Sequence, residues 1–240
     1  MPVALITGAG VRVGRAIALS LAEAGYRVVC HANRSVREAE DLVETIVAAG
    51  GEAQAVVADL SQREAVQELA RRVCAEYPVL DLLVNNAGLY ERGAFEEISA
   101  ASYGTMQAVN VEAPFFLTQG LLPSLRASGE ACVINITDSA VARPYGEYAH
   151  YFVSKAGLEA LTRVLAIELA PGIRVNGVAP GTVAFPPDFN EGARESIRRA
   201  IPMQTTGTEQ DIAEAVLYLA RRGTFTTGQI LRVDGGRSVA

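Results

Sequence analysis

The stretch VALITGAGVRVGRAIALSLAEAG, residues 3–25, joins a short apolar run to a glycine-rich turn and then to a segment with helical spacing. Glycines at such a turn let the backbone approach a pyrophosphate, and the following helix directs unpaired N–H groups and its positive dipole end there. An ordinary tight turn is the alternative, because a glycine-rich turn alone is a weak signal. The organisation of the rest of the chain favours the first interpretation.

Six further apolar runs rich in valine and isoleucine follow, separated by longer stretches with helical spacing. They are RVVC at 27, AQAVVA at 53, DLLVN at 81, CVINI at 132, RVNGV at 174 and QILRV at 229. Continuous hydrophobicity is typical of strands covered on both faces, as in parallel sheets. The stretch 36–49 follows the 3.6-residue period of a helix. The sequence therefore predicts one α/β domain over 1–240, with a doubly wound, seven-stranded, mainly parallel sheet that binds ligands at its carboxyl edge.

Length and composition agree with one globular domain and exclude several function classes. The 240 residues fit a single core, and half of them are apolar. The net charge of −6 and pI near 5.1 argue against a nucleic-acid partner, which requires a basic face. No run of 18 apolar residues predicts a membrane span, and the start MPVALITGAG lacks the features of a signal peptide, so we expect a cytoplasmic protein. Three widely separated cysteines predict free thiols and no metal site.

The segment 182–208 breaks the alternation, because it contains Pro186, Pro187 and Pro202 and no predicted strand. A loop of this length in a compact domain is usually functional or mobile. Since it follows a strand end, we expect it to form a lid over the substrate. A disordered surface insertion is the alternative.

The second strand ends in VVCHANRS, residues 28–35, and no carboxylate lies between Arg27 and Arg37. An NAD site would place an acidic residue here to hold the ribose 2′-hydroxyl. Arg34 and Ser35 can instead bind a 2′-phosphate through charge-assisted hydrogen bonds, which favours NADPH. Arg34 as a solvated surface arginine is the alternative.

Tyr151 and Lys155 are four residues apart in a helical stretch and therefore share a face. Lys155 is the only lysine in the chain. A free phenol has a pKa near 10, and a neighbouring ammonium is expected to lower it. A third polar group should lie beside the tyrosine, and both Asp138 and Ser139 are candidates.

The ordered motifs TGAGVRVG at 7, ADL at 58, NNAG at 85, VNVEAPFF at 109, YFVSK at 151, RVNGVAPGTV at 174 and VDGG at 233 resemble the short-chain dehydrogenase/reductase family over essentially the whole chain. The resemblance implies a Rossmann-type fold, usually tetrameric. It also implies that Tyr151 donates a proton, that Lys155 binds the nicotinamide ribose and that Asn110 anchors a proton-relay water. The expected catalytic set is Asp138, Tyr151, Lys155 and Asn110, because Asp138 and not Ser139 is in register with the family's serine; Ser139 in that role is the alternative.

The resemblance also implies a set of cofactor-binding residues. Asn86, Ala87 and Gly88 would lie along the adenosine side and Asp59 by the adenine, while the motif at 180–182 would lie near the nicotinamide carboxamide. With the glycine turn and the end of the second strand, the expected set is Gly8, Arg12, Val13, Gly14, His31, Asn33, Arg34, Ser35, Asp59, Leu60, Asn86, Ala87, Gly88, Tyr151, Lys155, Pro180, Gly181 and Thr182.

Two departures from the family pattern point to a subgroup. Arg12 stands where the family usually has glycine, and Asp138 stands thirteen residues before the tyrosine, where the catalytic serine is usual. Pteridine reductases are similar in both respects and in a segment like HANRS, and in them an aromatic residue at the position of Tyr90 stacks the pterin. The expected substrate residues are then Arg12, Tyr90, Asp138 and Tyr151. Tyr90 as a surface aromatic, and Arg12 as a pyrophosphate ligand only, are the alternatives.

The resulting expectation is an NADPH-dependent reductase that transfers hydride to a ring C=N of a pterin. The resemblance implies that it is a homotetramer. A carbonyl reductase such as a 3-oxoacyl thioester reductase, with Ser139 in the catalytic role, is an alternative within the family. A non-catalytic NADP(H)-binding sensor is an alternative of another class.

Overall fold

The computed structural model describes residues 1–185 and 190–240. It contains seven strands, β1 (Val3–Ile6), β2 (Arg27–Ala32), β3 (Glu52–Val57), β4 (Leu82–Asn85), β5 (Ala131–Ile136), β6 (Ile173–Pro180) and β7 (Ile230–Val233). They form one sheet in the order β3-β2-β1-β4-β5-β6-β7, with every neighbouring pair parallel. The predicted doubly wound α/β fold is confirmed, and the sheet is parallel throughout.

The helices between the strands are α1 (Arg12–Glu23), α2 (Val36–Ala48), α3 (Arg63–Glu76), α4 (Ala100–Gln107), α5 (Ala113–Ser128), α6 (Ala149–Glu168), α7 (Glu191–Arg199) and α8 (Glu209–Arg221). A π-helical turn (Ala108–Glu112) joins α4 to α5. Short 3-10 turns occupy Phe95–Glu97, Ser139–Ala142 and Arg237–Val239. Among the described residues, no helix is both long enough and apolar enough to span a membrane.

Helices cover the sheet on both faces, which explains the uninterrupted apolar runs of its central strands. On one face α1, α2 and α8 contribute Ile17, Leu42 and Val216 to the core. On the other face α3, α5 and α6 bury side chains that include Leu69 and Leu117. Strands β1, β4 and β5 are buried along their whole length, because each lies between two neighbouring strands and two helical layers.

The strand order reverses between β1 and β4, which lie side by side at the centre of the sheet. The connections from these two strands lead to opposite faces, so a crevice opens at their carboxyl ends. The glycine-rich turn follows β1 and the NNAG motif begins at the end of β4. The topology therefore brings both motifs to one edge.

The segment 182–208 contains a helix that its apolar pattern does not predict. Helix α7 has no buried residue; Asn190 caps it by accepting a hydrogen bond from the Ala193 N–H at 2.9 Å. Arg198 bonds both Glu191 and Glu195 at 2.9 Å. Such ion pairs at helical spacing support a helix that lacks an apolar stripe. Residues 186–189 lie outside the described residues, and the lid stays a prediction.

Candidate active site

A cleft at the carboxyl edge of the sheet runs past the ends of β1, β2, β3 and β4. Its volume is about 530 Å³, within the range usual for small-molecule sites. The cleft brings together most of the predicted cofactor residues of the first half of the chain. The lining includes Gly8, Arg12, Val13, Gly14, His31, Asn33, Arg34, Ser35, Asp59, Leu60, Asn86, Ala87 and Gly88.

The glycine turn packs directly against the NNAG motif. Gly8 has φ +65°, and a Cβ there would lie 3.0 Å from the Cα of Ala87. A Cβ on Gly14 would lie 2.1 Å from the carbonyl oxygen of Gly8. Helix α1 begins at Arg12 without a side-chain cap or an acidic residue in its first turn. Its first N–H groups therefore lack intrahelical partners and are available to an anion.

Arg12 has φ +51°, in the left-handed region that favours glycine. The family that the sequence resembles usually has glycine at this position, and glycine adopts such a backbone conformation without strain. A non-glycine residue held in this region costs about 1–3 kcal/mol. The exposed side chain of Arg12 is thus carried by a strained backbone at the mouth of the cleft.

His31 forms a hydrogen bond to the glycine turn. Its Nδ1 accepts a hydrogen bond from the Gly8 N–H at 3.2 Å, and its Nε2 lies 3.1 Å from the carbonyl oxygen of Ala58. The ring is buried, and burial lowers the pKa of His31. Since both nitrogens are bonded to backbone, His31 borders the cleft as a support for the turn and offers no free donor to a ligand.

The end of the cleft near α2 holds one carboxylate and one free cation. Asp59 Oδ1 accepts hydrogen bonds from Ser61 N–H at 3.0 Å and from Asn33 Nδ2 at 3.1 Å. The bond from Ser61 is the main reason why the pKa of Asp59 is lowered. Arg34 is exposed and has no salt-bridge partner within the described part of the chain. Ser35 precedes α2, and its hydroxyl does not cap the helix.

Tyr151 and Asp138 form a direct pair beside this cleft. The Tyr151 hydroxyl donates to Asp138 Oδ2 at 2.6 Å. The other carboxylate oxygen, Oδ1, accepts from the Ala140 N–H at 2.7 Å and so caps the 3-10 turn. Ser139 is buried and makes no hydrogen bond to Tyr151 in the described structure. The local register therefore brings the aspartate, and not the serine, to the tyrosine.

The pKa of Tyr151 is raised and not lowered, so the lowering expected from the neighbouring Lys155 was wrong as the net effect. Lys155 Nζ lies 6.0 Å from the centroid of the Tyr151 ring and donates to the carbonyl oxygen of Ile136 at 2.8 Å. Burial, and then the adjacent Asp138 carboxylate, raise the pKa of Tyr151 well above its ordinary value of 10.0. Tyr151 consequently keeps its proton at neutral pH, which is the form that a proton donor requires.

Lys155 nevertheless lies next to Gly88, which lines the cleft. A Cβ on Gly88 would lie 3.3 Å from Lys155 Nζ and 3.3 Å from Asn110 Oδ1. The lysine is buried, and this burial lowers its pKa from the ordinary 10.5 to about 8. Glycine at position 88 therefore leaves room between the cleft and these two polar groups.

Asn110 lies in the π-helical turn and clamps the loop that follows β4. Its Oδ1 accepts from the Leu89 N–H at 2.8 Å, and its Nδ2 donates to the Leu89 carbonyl at 3.0 Å and to Ser154 Oγ at 2.9 Å. The side chain thus joins this loop to α6, the helix of Tyr151 and Lys155. The proton-relay role of Asn110 stays a prediction.

Tyr90 belongs to an aromatic cluster beside Tyr151. Its ring stacks on Tyr148 with centroids 4.7 Å apart and meets Tyr151 edge to face at 4.8 Å. Its hydroxyl lies 3.0 Å from that of Tyr145. The sequence analysis did not predict Tyr145 and Tyr148 as site residues. Tyrosines at 145, 148 and 151 follow one another at intervals of three residues, and this regular spacing was a signal that they lie close together.

The end of β6 brings the motif at 180–182 to the same edge. A Cβ on Gly181 would lie 2.6 Å from the Cα of Asp234, so only glycine fits. Thr182 Oγ1 accepts a hydrogen bond from Arg237 Nη1 at 2.7 Å. Arg237 was not among the predicted site residues, because only the folded chain brings its 3-10 turn to this strand end.

The depressed pKa of Lys155 makes a prediction about stability. Between its folded pKa of about 8 and its ordinary 10.5, the unfolded chain binds more protons, so the free energy of unfolding should rise with pH in that window. Lys155→Met lacks this contribution. We expect the free energy of unfolding of Lys155→Met, minus that of the wild type, to be larger at pH 7 than at pH 9.5. Urea unfolding at the two pH values measures the difference, and an unchanged difference would contradict the burial argument.

The whole chain is similar to known reductases. A family model described as enoyl-(acyl carrier protein) reductase matches residues 8–238. The putative ketoacyl reductase 2 of the granaticin polyketide synthase of Streptomyces violaceoruber is 39% identical over 242 residues, which cover 98% of this chain and 95% of that protein. The 3-oxoacyl-[acyl-carrier-protein] reductase FabG of Staphylococcus epidermidis is 33% identical over 237 residues, which cover 97% of each chain.

Solved structures are similar over the full chain as well. FolM alternative dihydrofolate reductase 1 from Brucella canis, complexed with NADP, superposes with a TM-score of 0.93 at 31% identity, covering 100% of this chain and 94% of that one. A blue fluorescent protein from a metagenomic library, in complex with NADPH, gives a TM-score of 0.92 at 31% identity, covering 100% and 98%.

Proposed function

Since the chain belongs to the short-chain dehydrogenase/reductase family, we propose that it is an NADPH-dependent reductase of a pterin or a closely related flat heterocycle. The observation that carries the proposal is the 2.6 Å hydrogen bond from the Tyr151 hydroxyl to Asp138. Asp138 stands at the position where the family usually has a serine. A carboxylate there can accept hydrogen bonds from a substrate edge that carries N–H donors.

The cleft fits a dinucleotide. Its glycine turn has no room for side chains at Gly8 and Gly14, so a pyrophosphate can approach the backbone and the uncapped start of α1. Arg34 and Ser35 would hold a 2′-phosphate, and Lys155, beside Gly88, would hold the nicotinamide ribose. When bound, NADPH supplies the hydride for the reduction. The solved structures of the two similar proteins contain NADP and NADPH, which supports this choice of cofactor.

Tyr151 and Asp138 suit a substrate that presents both a proton acceptor and hydrogen-bond donors. Tyr151 Oη holds a proton that a ring nitrogen can take, and the Asp138 oxygens can accept donors from the amidine-like edge of a pterin. A phenolate beside a carboxylate is costly in a buried site, and the nearby Lys155 ammonium would offset part of that cost. The similarity to a dihydrofolate reductase structure supports a substrate of this class.

A 3-oxoacyl thioester reductase is the second candidate, because the similar polyketide ketoacyl reductase and the 3-oxoacyl-[acyl-carrier-protein] reductase are 39% and 33% identical. This function would require a hydroxyl beside Tyr151. The hydrogen bond of Tyr151 to Asp138, and the lack of one to Ser139 in the described structure, favour the pterin substrate.

NADPH oxidation distinguishes the candidates. The purified protein is given NADPH with dihydrobiopterin or with an acetoacetyl thioester, and absorbance at the reduced nicotinamide band is followed. Faster turnover of dihydrobiopterin is expected. Turnover of the thioester alone would replace the proposed substrate by the second candidate, and NADPH binding without turnover of either would favour the sensor.

The homotetramer and the cytoplasmic location expected from the sequence stay predictions. Light scattering of the purified protein measures the number of chains in the particle.

Arg34→Ala should raise the KM for NADPH by roughly tenfold to a hundredfold, because a charge-assisted contact to the 2′-phosphate contributes about 1.5–3 kcal/mol. The KM for NADH should stay nearly unchanged, since NADH lacks that phosphate. Arg72→Ala, an exposed arginine on α3, is the matched control. Equal kcat/KM values of the wild type for the two cofactors would contradict the assignment of Arg34.

A further inference from the structure

Two loops, residues 88–94 and 143–148, meet in front of Tyr151. The Gly93 N–H donates to the Glu147 carbonyl at 2.8 Å, and the Arg92 Nε donates to the Glu147 carboxylate at 2.9 Å. Glu147 has φ +67°, a left-handed conformation that is unfavourable for its side chain. The contacts between the loops hold the backbone in this conformation.

The same two loops supply three tyrosines that contact one another, namely Tyr90, Tyr145 and Tyr148, which we term the tyrosine clamp, and the Tyr90 ring contacts the Tyr151 ring. Tyr145 packs edge to face against Phe152 at 4.9 Å and against Tyr148 at 5.3 Å. Tyr145 is thereby fixed by its own ring contacts. Its hydroxyl is in turn 3.0 Å from the hydroxyl of Tyr90.

Tyr90 depends on these neighbours for its orientation. Tyr148 covers one face of its ring at 4.7 Å with an interplanar angle of 17°, yet Tyr90 remains 49% exposed. Part of the ring therefore stays accessible to a ligand next to Tyr151. A half-exposed ring rotates about its side-chain torsions unless a directional contact fixes it, and the hydroxyl bond to Tyr145 is such a contact.

We infer that Tyr145 is a positioning residue that holds the Tyr90 ring, through the bond between their hydroxyls, as the preformed wall on which a flat heteroaromatic substrate stacks. The inference rests on the proposed function and adds a determinant of its specificity. A flat ring gains from a fixed aromatic wall, because offset stacking depends on ring orientation. A flexible acyl chain makes less use of that orientation, so loss of the Tyr145 hydroxyl should affect the pterin more than a thioester.

A double-mutant cycle tests the inference. Tyr145→Phe and Tyr90→Phe remove opposite ends of the bond between their hydroxyls and keep both rings. Since the Tyr90 hydroxyl also interacts with the Tyr148 hydroxyl, Tyr148→Phe is measured beside them to account for that second contact. We expect the KM for dihydrobiopterin to rise about three- to tenfold in each single variant, with kcat within about twofold of wild type and no additional increase in the double variant. Tyr218→Phe, on α8 and without a side-chain hydrogen bond in the described structure, is the control.

Hydrogen exchange of the peptide 88–94 provides a readout that does not depend on turnover. Tyr145→Phe and Tyr90→Phe should accelerate its exchange equally, the double variant should exchange at the same rate, and the melting temperatures should be unchanged. Additive kinetic effects, or unchanged exchange in Tyr145→Phe, would overturn the positioning role. If the wild type does not reduce dihydrobiopterin, the proposed function is wrong, and so is the stacking of a pterin on Tyr90. Accelerated exchange in Tyr145→Phe would in that case still show that Tyr145 fixes the position of Tyr90.

Discussion

Tyr151→Phe should lower kcat by about 10²–10⁴-fold, the range that a positioned general acid supplies. The hydroxyl is the proton source that we propose, and burial with the adjacent Asp138 raises its pKa, so that it stays protonated at neutral pH. The phenylalanine ring preserves the contacts with Tyr90 and Phe152, so the variant should fold. Steady-state NADPH oxidation with dihydrobiopterin gives the ratio of kcat values.

Cofactor binding separates this effect from damage to the site. The Kd for NADPH, measured by nicotinamide fluorescence, should rise by no more than about tenfold, because one neutral hydrogen bond contributes about 0.5–1.5 kcal/mol. Turnover retained in Tyr151→Phe would exclude the tyrosine as the acid and place the sensor function first.

Asp138→Asn and Asp138→Ala should each lower pterin turnover by about 10²-fold or more, while Ser139→Ala should cost less than about tenfold. The reason is the geometry of the pair, in which the Tyr151 hydroxyl bonds Asp138 Oδ2 and makes no bond to Ser139 in the described structure. Substitution of the carboxylate removes the acceptor for the donors of the substrate. Turnover of dihydrobiopterin by the three variants under saturating NADPH measures the ranking.

Asp138→Asn is the sharper of the two aspartate variants. Its amide oxygen can still accept the Ala140 N–H that Oδ1 accepts at 2.7 Å, so the 3-10 turn keeps its cap. Asp138→Ala loses both the cap and the carboxylate, and its lower melting temperature would show the structural share. A larger loss in Ser139→Ala than in Asp138→Asn would favour the 3-oxoacyl thioester reductase.

The architecture follows from local patterns, because the predicted apolar runs all lie in one sheet. Helix α7 escaped prediction because it has charges and no apolar stripe. At the glycine turn, the backbone conformation could not be predicted. The residue at position 12 is read from the sequence, but its φ of +51° is imposed by packing of the turn.

The site could be predicted where the spacing of two residues along the chain determines the distance between their side chains. Thirteen residues separate Asp138 from Tyr151, and the structure shows them hydrogen bonded. The pKa of Tyr151 was not predictable, because spacing along a helix does not show that Lys155 turns to the Ile136 carbonyl. Tyr145 reaches Tyr90 through the contact of two loops distant in sequence, and no local pattern encodes that contact.

The position of Lys155 next to Gly88 has a consequence for chemical labelling. The chain has no other lysine, so an amine-selective acylating reagent finds one side-chain target, and a pKa of about 8 makes it nucleophilic in mildly alkaline buffer. A molecule that fills the cleft beside Gly88 shields that amine from the reagent. The fraction of chains acylated at Lys155 therefore falls as the site is filled, and ligands of the cleft can be ranked by this protection without any assay of turnover.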